Sequence, residues 1–378
     1  MKVVSVEIRN FRNHTDTTLE CGGGLNVLVG NNGEGKTNVV EAISYLSLTK
    51  SFYAASDAVV LQVGRDEFAL KGDFSGDTGV RRHVEVRYRR DTARKTFLVD
   101  HTAAESLASV VGEFPVVVLS PEQTGITMGA PTERRRFLDL VIAQASKTYL
   151  QDLLEYRRIL RQRNKILLDA RIQRREPGDA LEPWNKSLVE TGSALMERRA
   201  AFFASFKDAL ERAYRTLAGN EEHPGADYVP SFKVPSWSDP KEIRALFEDE
   251  LRQHEDEERR TGATGVGPHR DDIEFTIGGI SARKFASQGQ HRTLLVALKI
   301  AEFDYLKRQK GETPILLLDD VFGELDGHRS ERLLEEAQTL GQVFVTTTDL
   351  RSFPRGLVPG EKTKVFEVEG GTVMEGVH

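Results

Sequence analysis

Gly30-Asn31-Asn32-Gly33-Glu34-Gly35-Lys36-Thr37 is the stretch that decides the fold of this chain. It has the spacing of a phosphate-binding loop, and its flanks agree: 25–29 reads as a short buried strand entering it and 37–48 as a helix leaving it. The glycines let backbone N–H groups turn inward around an anion without Cβ clashes. Lys36 brings a point charge to the β- and γ-phosphates, the Thr37 hydroxyl is placed to ligate Mg²⁺, and the helix aims its positive end at the same anion. The stretch 30–38 therefore predicts a site for ATP with Mg²⁺, with Asn31, Asn32, Glu34 and Asn38 completing the loop.

Working outward, the other half of such a site is Ile315-Leu316-Leu317-Leu318-Asp319-Asp320. An apolar run delivers two carboxylates at its C-terminal end, where α/β sheets place their ligands. Asp319 is the expected Mg²⁺ partner, a hard oxygen ligand, and Asp320 is placed to polarise the attacking water. Alone, such a strand end is equally well read as a capped turn; the phosphate loop gives it its meaning. Lys36 and Asp319 lie 283 residues apart (319 − 36), far more than one βαβ unit needs, so an insertion must separate the two halves.

The middle supplies that insertion. From 131 to about 260, Phe137, Leu140, Val141, Leu150, Leu153 and Leu154 recur at helical spacing, Pro177-Gly178 breaks the stripe, and 184–217 resumes as one or two helices. The first third reads as strands, among them an Arg-rich one at 80–90 that looks like an edge or surface strand. The last third returns to α/β, with 288–310 as a long amphipathic helix and 364–368 with 372–374 as a possible hairpin about Gly370-Gly371. Before that helix stands Ser287-Gln288-Gly289-Gln290. Ser287 can cap it, and hydroxyl, glycine N–H and helix dipole together make a second anion site. One ATP does not need two such sites from one lobe, so the second makes sense as a reader of a γ-phosphate held by another copy.

Composition bounds the rest. The chain has 378 residues, 39% hydrophobic and 29% charged, enough for a sizeable core in two or three domains. No stretch approaches the roughly 18 apolar residues of a membrane span, the start lacks a secretory core, and one cysteine cannot form an internal disulfide; the expectation is cytosolic. A net charge of −6 confines any nucleic-acid contact to local patches. Two are visible, Arg81, Arg82, Arg87, Arg89, Arg90, Arg94 and Lys95, and then Arg134–Arg136 with Arg157, Arg158, Arg161, Arg163 and Lys165.

With these residues in view the chain resembles the SMC-like branch of the ABC ATPases, and within it the RecF family. The resemblance rests on Ile8-Arg9-Asn10-Phe11-Arg12, the loop 30–38, Ser120-Pro121-Glu122 and Arg134-Arg135-Arg136-Phe137-Leu138-Asp139. It continues in Arg161-Gln162-Arg163-Asn164, Gly267-Pro268-His269-Arg270-Asp271-Asp272, Ser287-Gln288-Gly289-Gln290 and the run from Asp319 to Asp326. It implies an α/β ABC-type ATPase head with an inserted α-helical arm, the head at 1–130 and 261–378 and the arm at 131–260. It further implies that 30–37 is the Walker A loop, Asp319 the Walker B aspartate and Asp320 the catalytic carboxylate. Ser287, Gly289 and Gln290 become the signature acting in trans, 323–326 the D-loop, and Arg12 a contact near the nucleotide's phosphates. Gln123 falls near the Q-loop position without the usual surroundings, and Thr346-Thr347-Thr348-Asp349 stands where transporter ATPases carry a switch histidine.

By that resemblance the expected function is an ATP-dependent homodimer that binds DNA at gaps or junctions, with RecR and RecO as partners, and helps load RecA. ATP turnover is expected to be weak and DNA-stimulated. Two other classes remain open at this point, an ATPase subunit of a membrane transporter and a DNA clamp that binds ATP without hydrolysing it. The long separation of the two half-sites and the helical arm speak against the first; the Asp319-Asp320 pair speaks against the second.

Overall fold

A computed structural model of the chain describes residues 1–54, 56–219, 222–350 and 363–376. The first segment forms strands β1 (Lys2–Phe11), β2 (His14–Glu20) and β3 (Leu25–Val29), helix α1 (Lys36–Leu48) and the short helix α2 (Asp57–Val60). It continues with β4 (Glu67–Ser75), β5 (Arg81–Arg89), β6 (Arg94–Val99), β7 (Thr102–Ala103), a one-turn α3 (Leu107–Val110) and β8 (Val116–Leu119). The middle holds α4 (Gly125–Met128), α5 (Pro131–Ala145), α6 (Lys147–Ile172), α7 (Glu182–Ala218), β9 (Pro224–Val229), α8 (Pro240–Gln253) and α9 (Glu255–Thr261). Then come β10 (Asp272–Ile277), β11 (Ile280–Ser281), α10 (Ala282–Phe285), α11 (Gln288–Lys310), β12 (Ile315–Leu318), α12 (Gly327–Leu340), β13 (Val343–Thr347), β14 (Thr363–Glu369) and β15 (Thr372–Glu375).

These elements group into two compact units. The first comprises Met1–Thr124, Ala209–Glu222 and Ser287–His378; the second comprises Gly125–Asp208 and His223–Ala286. The boundary read from the sequence at 260/261 therefore moves to 286/287, because β10 pairs antiparallel with β9 and carries 272–277 into the helical unit. The last turns of α7, from Ala209, belong to the first unit instead.

The first unit holds two six-stranded sheets. One is antiparallel, in the order β2-β1-β4-β5-β6-β7; the other runs β15-β14-β3-β13-β12-β8, with all but the β15 edge parallel. Helix α1 packs against β1 and β4 of one sheet and β8 and β13 of the other. Eleven of its thirteen residues are buried, among them Val39, Val40, Ile43 and Leu46. Each such side chain withdraws apolar surface worth about 1.5–3 kcal/mol, so the helix that carries Lys36 and Thr37 is firmly seated.

Two local expectations change. The Arg-rich strand β5 lies inside its sheet, between β4 and β6, with Val84, Val86 and Tyr88 buried on one face, which Arg82 shares, and Arg81, Arg87 and Arg89 on the other. In β1 the register shifts between Val3 and Ser5, and Val3, Val6, Ile8 and Phe11 are the buried apolar residues while Val4 is not. Helix α11 is not amphipathic: every residue from Thr293 to Phe303 is buried, Lys299 and Glu302 among them as a pair at 2.9 Å. The hairpin about Gly370-Gly371 is present as β14 and β15.

The second unit builds its interior around ion pairs. Arg163 is 2% exposed and bonds Glu258, Thr264 and Asn185. Arg199, equally buried, bonds Asp139, the Tyr149 hydroxyl and the Pro268 carbonyl. The Gly-Pro-His-Arg-Asp-Asp segment supplies this interior. Gly267 has φ +119, and a Cβ there would lie 2.6 Å from the Phe247 ring; Asp271 accepts from the Tyr228 hydroxyl and the Ser231 N–H, and Asp272 pairs with Arg134 at 2.7 Å. No described helix is long and apolar enough to cross a membrane.

Candidate functional site: a phosphate loop facing two carboxylates

The site forms at the C-terminal ends of three adjacent parallel strands, β3, β13 and β12. From β3 the chain turns through the loop into α1, with Gly33 at φ +85 and Gly35 at φ +115. Glycine is needed at Gly35 on space as well: a Cβ would lie 2.6 Å from Asn13 Oδ1 and 2.8 Å from His14 Nε2. Those two side chains brace the loop from outside. Asn13 Nδ2 donates to the Glu34 carbonyl at 2.9 Å, its Oδ1 accepts from Asn38 at 2.7 Å, and His14 Nε2 faces the Gly35 carbonyl at 3.0 Å. Burial lowers the His14 pKa, with the Gly35 and Gly371 carbonyls opposing.

Lys36 Nζ donates to the Gly30 and Asn31 carbonyls, both at 2.7 Å. Partial burial lowers its pKa, while Asp320, Asp319 and Glu34 act in the opposite direction. Thr37 Oγ1 donates to Asp319 Oδ1 at 2.8 Å, joining residues 282 apart in sequence. The same Oδ1 accepts from the Thr346 hydroxyl at 2.7 Å, and Asp319 Oδ2 accepts from the Tyr53 hydroxyl at 2.5 Å. Asp320 sits in left-handed backbone conformation, φ +50, with its N–H donating to Thr346 Oγ1 at 2.9 Å. Desolvation first, and the charge of Asp319 second, raise its carboxyl above the ordinary range, with Lys36 opposing. A cavity of about 140 Å³ is lined by Asn32, Gly33, Gly35, Lys36, Thr37, Asn38, Asp320 and Thr346.

These residues suit a divalent cation with a nucleotide. Thr37 and Asp319 present hard oxygen donors side by side, as Mg²⁺ requires. The Gln123 Oε1 atom, after strand β8 that pairs with β12, is buried with no hydrogen-bond partner among the described residues. Among those residues no three His, Cys, Asp or Glu side chains cluster as a self-sufficient metal site.

The remaining sequence candidates lie elsewhere. Ser287 caps α11 in a full capping box: its Oγ accepts from the Gln290 N–H, and Gln290 Oε1 accepts from the Ser287 N–H. Gln290 Nε2 also donates to Glu222 at 2.8 Å. Neither Ser287, Gly289 nor Gln290 lines the loop cavity. Arg12 commits Nε and Nη2 to the buried Glu41 carboxylate, both at 2.8 Å, leaving Nη1 for any nucleotide. Asp326 caps α12 by accepting from the Arg329 N–H.

The sequence reading placed Thr346 only at the position of a switch histidine, without its bond to Asp319, and missed Tyr53 altogether. Thr346 ends the apolar run of β13 just as Asp319 ends that of β12, and that parallel was a usable signal. Tyr53 lies in irregular chain after α1, and nothing in its surroundings points to Asp319.

Residues 2–372 match the family model described as the RecF/RecN/SMC N terminal domain. A relative from Chloroherpeton thalassium, described as a DNA replication and repair protein RecF, is 40% identical over 357 residues, covering 93% of this chain and 96% of the relative. This chain belongs to the RecF family. A second RecF-family protein, from Symbiobacterium thermophilum, is 37% identical over 375 residues, 99% of this chain and 98% of that one. Among solved structures, that of the recombination mediator protein RecF with ATP in the RecFOR pathway is similar at a TM-score of 0.91 and 29% identity, covering 99% of this chain and 97% of that one. The fold class is thus the SMC-like ATPase head of the RecF family.

Proposed function

We propose that this chain is an ATP-driven DNA replication and repair protein of the RecF type. Mg²⁺ and ATP bind at 30–38, two copies close over the nucleotide, and the closed dimer holds DNA at gaps or junctions. With RecR and RecO it assists RecA loading, and slow hydrolysis resets the switch. The observation that carries the reading is the Thr37–Asp319 hydrogen bond, which unites the two half-sites across the inserted arm.

In this reading Lys36 moves from the Gly30 and Asn31 carbonyls to the phosphates, and the loop N–H groups wrap them. Thr37 and Asp319 would hold the cation, which would neutralise phosphate charge when bound. Asp320 accepts the proton of the attacking water, and Thr346 keeps it in place. Ser287 and Gly289 of a second copy read the γ-phosphate. Their absence from the loop cavity of their own chain supports that arrangement.

The test is nucleotide titration of Lys36→Ala beside wild type. Charge-assisted hydrogen bonds are worth about 1.5–3 kcal/mol each, so losing even one should weaken ATP binding by ten- to a hundredfold. Unchanged affinity would refute the phosphate-loop assignment.

A further inference from the structure

The arginines that look alike in sequence between 134 and 165 separate into two kinds in the second unit. Arg134 is buried against Asp272 and the Gly129 carbonyl, Arg163 against Glu258, and Arg158 pairs with its neighbour Glu155. Arg135, Arg136 and Arg157 instead converge, with Arg199, on one cavity of about 290 Å³ whose other wall is Tyr156 and Pro268.

The charge of this cavity is only partly cancelled: Arg199 stands 3.5 Å from the Asp271 carboxylate behind the wall, and Asp271 and Asp272 also act on Arg135. Its one carboxylate, Asp139, already accepts from the Tyr149 hydroxyl and Arg199 on Oδ1 and from Arg157 on Oδ2. Arg135 gives a single hydrogen bond, Nη1 to the Asp271 carbonyl, and its pKa is lowered by partial burial and then by Arg199 beside it. Arg136 is exposed and has no hydrogen-bond or ion-pair partner among the described residues. His269 adds no charge. Its Nε2 faces the Thr264 carbonyl and so carries the proton, its Nδ1 accepts from the Tyr156 hydroxyl, and burial holds its pKa at about 4. The first turn of α5 reaches the cavity through Thr132, and its N-cap, Ala130, offers no capping side chain.

We propose that this cavity holds one backbone phosphate of a DNA strand. Guanidinium forks match the several oxygens of a phosphate better than the two of a carboxylate. When phosphate enters, Arg157 can turn from Asp139 Oδ2 to it, while Tyr149 and Arg199 keep that carboxylate in place through Oδ1. The choice of a strand over a small phosphate rests on what lies beside the cavity. Arg157, Arg161 and Lys165 are exposed at four-residue steps along α6, about 6 Å apart along the axis, a basic stripe that a polyanion engages and a single anion does not.

The proposal rests on the chain being a DNA-binding protein, and the experiment keeps the two apart. Affinity of the full chain with ATP for a labelled duplex is measured over a range of salt for wild type and for Arg136→Gln/Arg157→Gln. The slope of log affinity against log salt should shrink by about 0.9, the contribution of the one phosphate that the cavity neutralises. With curves that converge at high salt, that is roughly an eightfold loss at tenfold lower salt. An equal charge change in the same unit, Arg252→Gln/Arg260→Gln on the exposed faces of α8 and α9, should leave the slope within about half of one contact. The cavity assignment is overturned if wild type binds DNA and the first pair matches wild type, or if both pairs lose equally. Phosphorus NMR of inorganic phosphate forms the second arm: line broadening without a DNA effect makes the cavity a small-anion site and equally overturns the proposal. If wild type binds no duplex at any salt, the DNA reading fails and takes the proposal with it.

Discussion

Replacing Ser287 with aspartate separates what this residue does for its own helix from what it does for a second copy. Within the chain it is an N-cap, accepting from the Gln290 N–H at 3.2 Å while Gln290 reaches back at 2.8 Å. Aspartate caps as well as serine, and its charge at the positive end of α11 adds about 0.3–1 kcal/mol. Ser287→Asp should therefore unfold in urea at or slightly above the wild-type midpoint and bind ATP within about twofold of wild type. Across an interface the sign reverses. A carboxylate about 4 Å from one phosphate charge costs about 4 kcal/mol at an effective dielectric of 20, close to three decades in association. Sedimentation with Mg²⁺ and ATP should then show a monomer where wild type dimerises. Ser287→Arg is the companion: it gives up the cap, about 1 kcal/mol, and blocks the same contact by bulk. Dimerisation of Ser287→Asp at wild-type concentrations would refute the in-trans role. So would wild-type hydrolysis by Ser287→Arg at concentrations where it is strictly monomeric.

Asp320 should impose a pH limit on turnover. Desolvation and Asp319 raise its carboxyl above the ordinary range of about 4, so single-turnover hydrolysis should decline as pH falls through a midpoint above that value. A midpoint at or below 4 would remove Asp320 as the base. The same raised pKa makes its ionised form a cost to the fold, so its contribution favours folding at low pH and weakens as pH rises from the unfolded to the folded pKa. In the second unit, Arg163→Ala leaves Glu258, 1% exposed, without its cation, and should cost about 3–5 kcal/mol in urea unfolding. A loss below about 1 kcal/mol would show that the pair is not what organises this interior.

The phosphate loop was legible because its requirements are local: glycine where φ is positive at Gly33 and Gly35, then Lys36 and Thr37 at the head of a helix. The pair Asp319-Asp320 was legible because four buried residues precede it. What the sequence hid depends on pairing between distant segments. Strand β13 lies between β3 and β12, so Thr346 means nothing until Val345 is set opposite Leu318 and Thr346 opposite Leu28. The arginines show the same limit. Arg134 and Arg136 are two residues apart, yet one is 3% exposed because Asp272, 138 residues away, faces it, and the other is free. Residue type sets what an arginine can do; only the tertiary position of a carboxylate sets what it does.

That dependence bears on how the site works. A chain of hydroxyl-mediated bonds runs from the loop to Asp320: Thr37 to Asp319, Thr346 to the same Asp319 oxygen, and the Asp320 N–H to Thr346. Asp320 stands at φ +50, a conformation a non-glycine residue adopts only when its surroundings favour it, and the bond to Thr346 is one of the contacts that do. A cation held by Thr37 and Asp319 would share the oxygen that Thr346 also uses, and Thr346 in turn accepts from the Asp320 N–H. The strands hold these residues in register, and the hydroxyls between them link the phosphate loop to Asp320.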